Sequence, residues 1–286
     1  EVMQLVDLHV HSTASDGTMT PSKLVSYAKQ KELYAFALTD HDTTAGISEA
    51  QVCAVKSGVR LIPGIEFSTE YEGRDVHILG LGIDPENDRL LAGTASIQEE
   101  RAQRNEKMIR LLQNDGYPIS LQMLQEQFPG AVLTRMHIVK CLVQQKCIAS
   151  VQEGFTNYVG SGCKYYVPRT YLSPLEAIAL IHEAGGKAVL AHPLLYHLDM
   201  GQLRTLLGRL VSGGLDALEA IYSCNEDGQE QQMRALAKEF GIKISGGSDF
   251  HGANKPDIDL KTGKGNLIVP VSVLVDLFDG SYTSDL

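Results

Sequence analysis

The chain has 286 residues, of which 43% are hydrophobic and 21% are charged, so it is long enough for one large α/β domain or two small ones. Its formal net charge of −10 disfavours binding along duplex nucleic acid, which requires a basic stripe. The 5 cysteines lack CxxC spacing and no apolar run is long enough to span a bilayer. We therefore expect a cytoplasmic protein with reduced thiols and no membrane partner.

Strands and helices alternate over most of the chain. Thr20 is the predicted N-cap of a first helix, and Pro21 suits the first turn of that helix. Further helices are predicted at 46–57, 173–185, 201–212 and 226–240. Strand-like runs lie at 5–11, 34–39, 59–66, 76–83, 187–191, 215–221 and 242–246. This alternation predicts a parallel sheet, and seven strands suggest an incomplete or distorted barrel.

One region interrupts the alternation. Residues 97–165 show helical patterns and almost no strand signal, beginning with IQEERAQRNEKMIRLLQNDG. The simplest interpretation is a helical insertion between strands four and five. We therefore expect a barrel formed by 1–96 and 166–286, with 97–165 as a lid over one end.

Two histidines lie two residues apart in the first strand, in LVDLHVH. In a strand, Asp7, His9 and His11 share one face while the alternating apolar residues face the other way. A half-buried strand with a solvated polar face explains this pattern. A metal site explains it equally well, because an i, i+2 pair directs both imidazoles to one point.

Other polar residues decide between these interpretations. Most of them come at or after the carboxyl ends of different strands, where parallel barrels build their active sites. They are Asp40 and His41 in LTDHD, Glu66 in PGIE, His192 in LAHP, and Asp249 and His251 in GGSDFH. His77, near the start of the fourth strand, is the exception, and His182 and His197 have no such placement. The convergence of six histidines with carboxylates favours a metal centre over a set of unrelated structural histidines.

The combination of HVH, Asp16, TDHD, PGIE, VHILG, AHP and SDFH resembles the PHP (polymerase and histidinol phosphatase) family, in particular its stand-alone metal-dependent phosphoesterases. The resemblance implies a distorted (β/α)7 barrel and three divalent transition-metal ions, which could be manganese, iron or zinc. It also implies three ligand sets. These are His9, His11, Glu66 and Asp249; then Glu66, His77 and His192; then Asp16, His41 and His251.

The resemblance implies hydrolysis of a phosphomonoester by a metal-activated hydroxide. Three divalent ions outweigh the charge of three carboxylates, so the centre suits a phosphate dianion. Asp40 is a candidate proton relay. Its alternative role is to orient a histidine ligand.

Cationic residues outside the ligand sets are candidates for substrate binding. Arg135 and His137, in LTRMHIVKCL, resemble an Arg-Pro-His segment of the family, with Met136 in place of proline. Arg101 and Arg104 resemble a family arginine pair, although a solvated helix face also explains their i, i+3 spacing.

The substrates implied are small phosphorylated molecules, namely nucleoside 3′,5′-bisphosphates or short single-stranded RNA. One stretch departs from the family pattern. In YVGSGCKYYVP, which precedes Arg169, Ser161 stands where an arginine is usual, and Lys164 is shifted. This departure leaves the substrate preference open.

Three alternatives remain. An amidohydrolase also carries HxH on its first strand but commonly needs a bridging lysine at a mid-barrel strand end, whereas Lys187 begins its strand. A non-catalytic metal-binding PHP module is a second alternative, although such modules lose ligands and this chain keeps all of them. Histidinol phosphate is a third, as a different substrate of the same enzyme class.

Overall fold

The computed structural model describes residues 3–168 and 172–281. Its strands lie close to the predicted ones. They are β1 Val6–Val10, β2 Ala35–Leu38, β3 Arg60–Tyr71, β4 Arg74–Leu81, β5 Lys187–Leu190, β6 Ala217–Tyr222 and β7 Lys243–Gly247.

The helices flank the sheet or follow β4. They are α1 Pro21–Gln30, α2 Ile47–Ser57, α3 Asp88–Asn114, α4 Leu121–Gln127, α5 Arg135–Gln144, α6 Val151–Gly154, α7 Pro174–Glu183, α8 Met200–Ser212, α9 Gln229–Glu239 and α10 Val271–Leu277. Thr20 caps α1 as predicted, since its side chain accepts a hydrogen bond from the Lys23 amide. A π-helical turn, Phe155–Val159, follows α6.

The seven strands form one sheet in sequence order, nearly closed into a barrel. The pairs β1–β2, β2–β3, β5–β6 and β6–β7 are parallel. Near the open seam, the amide of Asp249 donates to the carbonyl of His9 at 2.8 Å, and the amide of His11 donates to the carbonyl of Phe250 at 2.9 Å. A distorted seven-stranded barrel is therefore confirmed.

The prediction of a wholly parallel sheet is wrong, because β4 runs antiparallel to both β3 and β5. The cause is a two-residue turn, Glu72 and Gly73, whose φ angles of 50° and 78° are the positive values of a tight hairpin. Both strands extend to this turn, so the segment between the predicted strands is itself part of the hairpin.

Two apolar clusters build the barrel. One joins alternate strand residues, including Val6 and Leu8, to helix α10. The other joins the opposite strand faces, including Val10, to the flanking helices. Val10 does not share the cluster of Val6 and Leu8 because the pairing of β1 with β2 shifts between Asp7 and Val10. The simple alternation predicted for this strand is therefore interrupted by a bulge.

The helical segment after β4 has an apolar cluster of its own, which draws residues from α3, α4 and α5. Helix α3 begins at Asp88, before the predicted start of the insertion at 97. Its first half packs on α7, where a Cβ at Gly93 would lie 2.7 Å from Leu180 Cδ1, so glycine allows this close approach without a shift of the Leu180 side chain.

Candidate metal centre

The polar end of β1 supplies two of the predicted ligands. His9 and His11 are fully buried, and their ring centroids are 5.2 Å apart. The carboxylate of Asp7 is turned to other partners, the amides of Ser248 and Lys261. The bulge after Asp7 thus leaves the two histidines directed at the cluster.

The hairpin of β3 and β4 supplies two more of the predicted ligands. Because β4 is antiparallel, its start lies at the same end of the barrel as the carboxyl end of β3. Glu66 on β3 therefore meets His77 on β4, with Nδ1 of the histidine 2.9 Å from Oε1 of the glutamate. The reversed strand explains why His77, unlike the other ligands, lies near the start of its strand.

Two ligand positions have unusual backbones. His192, in the loop after β5, has φ 27°, and Asp249, in the loop after β7, has φ 58°. Positive φ is uncommon for residues other than glycine and costs about 1–3 kcal/mol, so the surrounding structure imposes these conformations. The backbone conformation of His192 brings a ligand atom toward Glu66, and that of Asp249 brings one toward β1.

Glu66 lies at the centre of the cluster. Its Oε2 is 3.3 Å from His9 Nε2 and 3.1 Å from His11 Nε2. Its Oε1 is 3.0 Å from His192 Nε2, beside the 2.9 Å approach of His77. The two oxygens thus face different groups of histidines.

Asp249 and Asp16 complete the arrangement. Asp249 Oδ1 lies 3.5 Å from His9 Nε2 and 3.4 Å from His11 Nε2. Asp16 Oδ1 lies 3.1 Å from His251 Nε2, and Asp16 Oδ2 lies 3.7 Å from His41 Nε2.

All nine predicted ligands fall within groups compact enough to hold a metal ion. The groups are His11, Asp16, His41 and His251; His9, His192 and Asp249; His9, His11 and Glu66; and His41, Glu66 and His77.

The donor atoms suit metal ions. Among the described residues, His9 Nε2, His11 Nε2 and His41 Nδ1 are buried and make no hydrogen bond. Nitrogen and carboxylate oxygen ligands lie about 2.0–2.2 Å from an ion such as zinc, which places neighbouring ligand atoms roughly 3 Å apart, as here. An ion at each group would give these buried atoms partners, so the residues fit a metal cluster.

The carboxylates of the cluster are held ionised, as ligation requires. Burial opposes ionisation of the Glu66 carboxyl, but the imidazoles of His41 and His9 hold its pKa well below its usual value. The pKa of Asp16 is lowered in the same way by His41 and His251, and that of Asp249 by Lys255 and His9. Burial holds the pKa of His41 well below its usual value, which favours the neutral ring that binds metals. Burial also opposes charge on His9 and His11, but the facing carboxylates raise both pKa values, that of His11 to about 9, so a metal ion would replace the protons on these two rings.

Outer residues orient the ligands. Glu219 Oε1 lies 2.9 Å from His9 Nδ1, and Glu219 Oε2 accepts a hydrogen bond from the amide of His192 at 2.7 Å. A carboxylate at Nδ1 favours the tautomer that leaves His9 Nε2 as the ligand atom. Tyr222 donates to Asp249 Oδ2 at 2.8 Å. The sequence patterns assigned no role to Glu219, which lies on β6, or to Tyr222.

Asp40 contacts the loop after β1. Its carboxylate accepts hydrogen bonds from the Ser12 amide at 2.8 Å, from Ser12 Oγ at 2.6 Å and from Ser15 Oγ at 2.6 Å. These contacts favour a role in holding the loop between His11 and Asp16 over the predicted proton relay.

The predicted arginine pair is buried, so the solvated-face interpretation is wrong. Arg101 contacts Asp42 and donates to Ser68 Oγ at 2.7 Å, and it lines a cavity beside the cluster. Arg104 instead donates to the carbonyl of Val167 at 2.6 Å. Only Arg101 of this pair is among the described residues that line the cavity.

Arg135 and His137 also differ in their contacts, and only one of them lines the cavity. Arg135, the first residue of α5, lines the same cavity and donates to Asp75 Oδ2 at 2.7 Å. His137 forms a capping box, since its Nδ1 accepts a hydrogen bond from the amide of Thr134 at 2.8 Å. Burial lowers the pKa of His137 to about 4. The structure therefore gives His137 a structural contact and leaves Arg135 at the cavity.

Two further basic residues lie in or just after the stretch YVGSGCKYYVP. Lys164 pairs with Asp115 at the surface of the helical segment. Arg169 lies outside the described residues.

The cavity itself measures about 170 Å³. It is lined by Asp16, His41, Ser68, His77, Arg101, Thr134, Arg135, Met136, Phe155, His251 and Lys255. Lys255, which sequence patterns did not single out, donates to Asp249 Oδ2 at 2.6 Å. Burial opposes its charge, but the carboxylates of Asp249 and Asp16 raise its pKa above the usual value. The cavity thus joins the metal-ligating cluster to three cationic side chains.

This barrel and cluster define the class, and comparison with known proteins identifies the family. The PHP domain model matches residues 7–161. A 5′-3′ exoribonuclease of Haemophilus influenzae is 38% identical over 249 residues, which cover 86% of this chain and 89% of the relative. A 3′,5′-nucleoside bisphosphate phosphatase of Chromobacterium violaceum is 34% identical over 261 residues, covering 87% and 88%. The chain belongs to the PHP domain family.

A solved structure supports the same assignment. A Bifidobacterium adolescentis protein assigned as a metal-dependent phosphoesterase superposes with a TM-score of 0.86 at 30% identity, covering 97% of this chain and 96% of the other. The predicted class, a hydrolase of phosphoric esters with a metal-binding cluster, is confirmed. Within 3–168 and 172–281, no helix combines the length and apolar character needed to cross a bilayer. The cytoplasmic location stays a prediction.

Proposed function

We propose that this chain releases phosphate from a nucleoside 3′,5′-bisphosphate. The observation that carries the proposal is the cavity beside the cluster, where Arg101 and Arg135 flank the metal-ligating residues. A bisphosphate carries two dianionic groups, one for the metal centre and one for a guanidinium. The Chromobacterium violaceum relative, named as a phosphatase of such molecules, supports the same substrate class.

The metal centre is proposed to hold three divalent ions, of manganese, iron or zinc. The three ligand sets are those implied by the family resemblance, and the approaches of Glu66, Asp249 and Asp16 to their histidines support them. When bound, such ions supply a water of lowered pKa and positive charge at the reacting phosphate. His11 and His41 approach more than one group, so the division into sets belongs to this proposal.

The protein's own residues bind and orient. The ionised carboxylates of Asp16, Glu66 and Asp249 hold the cluster, and Glu219 fixes the ring of His9. Arg135 lies where a second phosphate of the substrate can reach it. A guanidinium in this position binds two phosphate oxygens at once.

The helical segment 97–165 is proposed to form a fixed lid over one end of the barrel. Its helix α5 begins at the cavity, and Thr134, the residue that caps it, donates to Asp16 Oδ2 at 3.1 Å. The segment thereby contributes one wall of the site. We keep the boundaries of 1–96 and 166–286 for the barrel.

Short single-stranded RNA is a second candidate substrate. A further cavity of about 480 Å³ shares Arg135 and Phe155 with the first and is also lined by Arg74 and Tyr196. This space offers a cation and aromatic rings to a neighbouring nucleotide. The exoribonuclease relative of Haemophilus influenzae supports this candidate.

The remaining alternatives lack support among the described residues. Lys187, the lysine weighed for an amidohydrolase, pairs with Asp216 at the start of β5, away from the cluster. A non-catalytic module would have lost ligands, whereas every predicted position is filled.

A panel assay tests the proposal. Manganese-loaded protein is incubated with adenosine 3′,5′-bisphosphate, adenosine monophosphates, histidinol phosphate and a 5′-phosphorylated RNA trimer, and released phosphate and mononucleotides are measured. We expect the highest kcat/KM for the bisphosphate. A higher kcat/KM for histidinol phosphate, or RNA cleavage without phosphate release from the bisphosphate, would overturn it.

A further inference from the structure

Lys255 lies between the metal centre and the cavity. Its ammonium group donates to Asp249 Oδ2 at 2.6 Å, and its side chain, 31% exposed, lines the cavity with Arg101 and Arg135. None of the ligand sets uses it. A cation in this position is unexpected, because metal ions at the neighbouring groups would repel it.

The chain holds this lysine in place. Its neighbour Asn254 donates to the carbonyl of Asp16 at 2.6 Å and accepts from Lys140 Nζ at 2.7 Å. The amide of Ala253 donates to Thr18 Oγ1 at 2.9 Å. The loop after β7 is thus tied to the loop after β1 and to α5, which fixes the direction in which Lys255 enters the site.

An ion pair with Asp249 does not by itself account for this arrangement. Asp249 Oδ2 already accepts a hydrogen bond from Tyr222, and its Oδ1 faces His9 and His11. An ammonium group has three N–H donors, and Asp249 uses one of them. An anion in the cavity would occupy another donor and offset the repulsion from the metal ions.

We propose that Lys255 is a substrate-binding residue whose ammonium group binds a non-bridging oxygen of the phosphate group that is hydrolysed. The inference rests on the proposed function, and it deepens it by assigning a protein cation to the reacting phosphate. Arg135 then binds the second phosphate, and Lys255 binds the phosphate that is hydrolysed. The two roles predict different responses to inorganic phosphate, which occupies the reacting position alone.

The test is calorimetric titration of inorganic phosphate into metal-loaded protein, with metal content measured on each sample. We expect Lys255→Met to weaken phosphate binding on the order of ten- to a hundredfold, the effect of losing one charge-assisted hydrogen bond. Lys255→Arg should retain most of the affinity. Lys264→Met, on an exposed position of the same segment, should leave it unchanged.

Unchanged phosphate affinity in Lys255→Met would overturn the inference. Loss of bound metal in that variant would overturn it as well, because the lysine would then act through Asp249. Failure of the proposed function is distinguishable. If the wild-type protein binds phosphate through Lys255 but turns over no bisphosphate, the inference stands and the substrate assignment falls.

Discussion

Glu66 and His77 approach each other diagonally across a hairpin. In the register of β3 and β4, His77 is paired with Ser68, yet its Nδ1 lies 2.9 Å from Glu66 Oε1. Because Glu66 Oε2 faces His9, His11 and His41 while Oε1 faces His77 and His192, the same carboxylate reaches histidines on four strands or strand ends. This central position makes Glu66 the most informative residue to change.

Glu66→Gln should lower kcat/KM for the bisphosphate on the order of a hundredfold or more, because the amide removes a negative charge shared by two ligand sets. Steady-state assays with manganese check this. The control is His182→Gln, whose partner Asp216 is at the barrel surface, so activity should be nearly unchanged. Similar losses in both variants would indicate a folding defect, which thermal unfolding would reveal.

Metal content is a separate prediction. Protein reconstituted with manganese, iron or zinc should hold close to three ions per chain, since the nine candidate ligands form overlapping groups that the family resemblance divides among three ions. Elemental analysis after removal of free metal measures this number, and a chelator should abolish activity. Saturation at one ion per chain would contradict the trinuclear arrangement.

Arg135→Ala separates binding from chemistry. We expect kcat/KM for a bisphosphate to fall about ten- to a hundredfold, because a charge-assisted contact to the second phosphate is lost. Turnover of p-nitrophenyl phosphate, which has no second phosphate, should change far less, with metal content unchanged. Arg110→Ala, an exposed residue of α3 paired with Glu106, is the control.

Equal losses on both substrates would place Arg135 in the chemistry or the fold. No loss on either would transfer the phosphate-binding role to Arg101.

His137 predicts a pH-dependent stability. Its pKa is about 4 in the folded chain, below the ordinary value of 6.5, so the unfolded chain takes up the proton first as the pH falls. The stabilisation is complete above pH 6.5 and is lost progressively as the pH falls to about 4, amounting to about 3 kcal/mol at most.

The comparison variant is His137→Gln, because glutamine also serves the third position of a capping box but does not titrate. Denaturant unfolding of the metal-free proteins between pH 7 and pH 4 should show a steeper loss of the free energy of unfolding in the wild type. Parallel curves for the two proteins would contradict a buried, neutral His137.

Much of the fold was predictable because the strands are short apolar runs separated by amphipathic helices. The orientation of β4 was not predicted, because Glu72 and Gly73 form a tight turn without the Asn-Gly or Asp-Gly signal that usually marks one. The polar residues of Ser68–Tyr71 also concealed the length of β3. A single turn therefore decided both the topology and the position of His77.

The clustering of the candidate metal ligands was predictable because histidines with unrelated structural roles rarely gather, together with carboxylates, at the ends of several strands. The surrounding residues were less accessible to sequence reasoning. Tyr222 contacts Asp249 from a different strand, and Lys255 contacts the same carboxylate across a loop that has no helical or strand periodicity. His137 and Arg104, by contrast, have basic side chains that serve backbone contacts, which no spacing pattern distinguishes from substrate binding.

Helix α3 has a consequence for substrate size. Its 27 residues form one rod of roughly 40 Å that starts against α7 on the barrel and continues into the helical segment. Since its hydrogen-bond ladder runs unbroken past residue 97, the segment has no joint there about which to swing. Arg101, midway along the rod and bound to Asp42, thus forms a rigid wall of the cavity. For the proposed nucleotide substrates, this fixed wall would limit the length of the molecule that fits beside it.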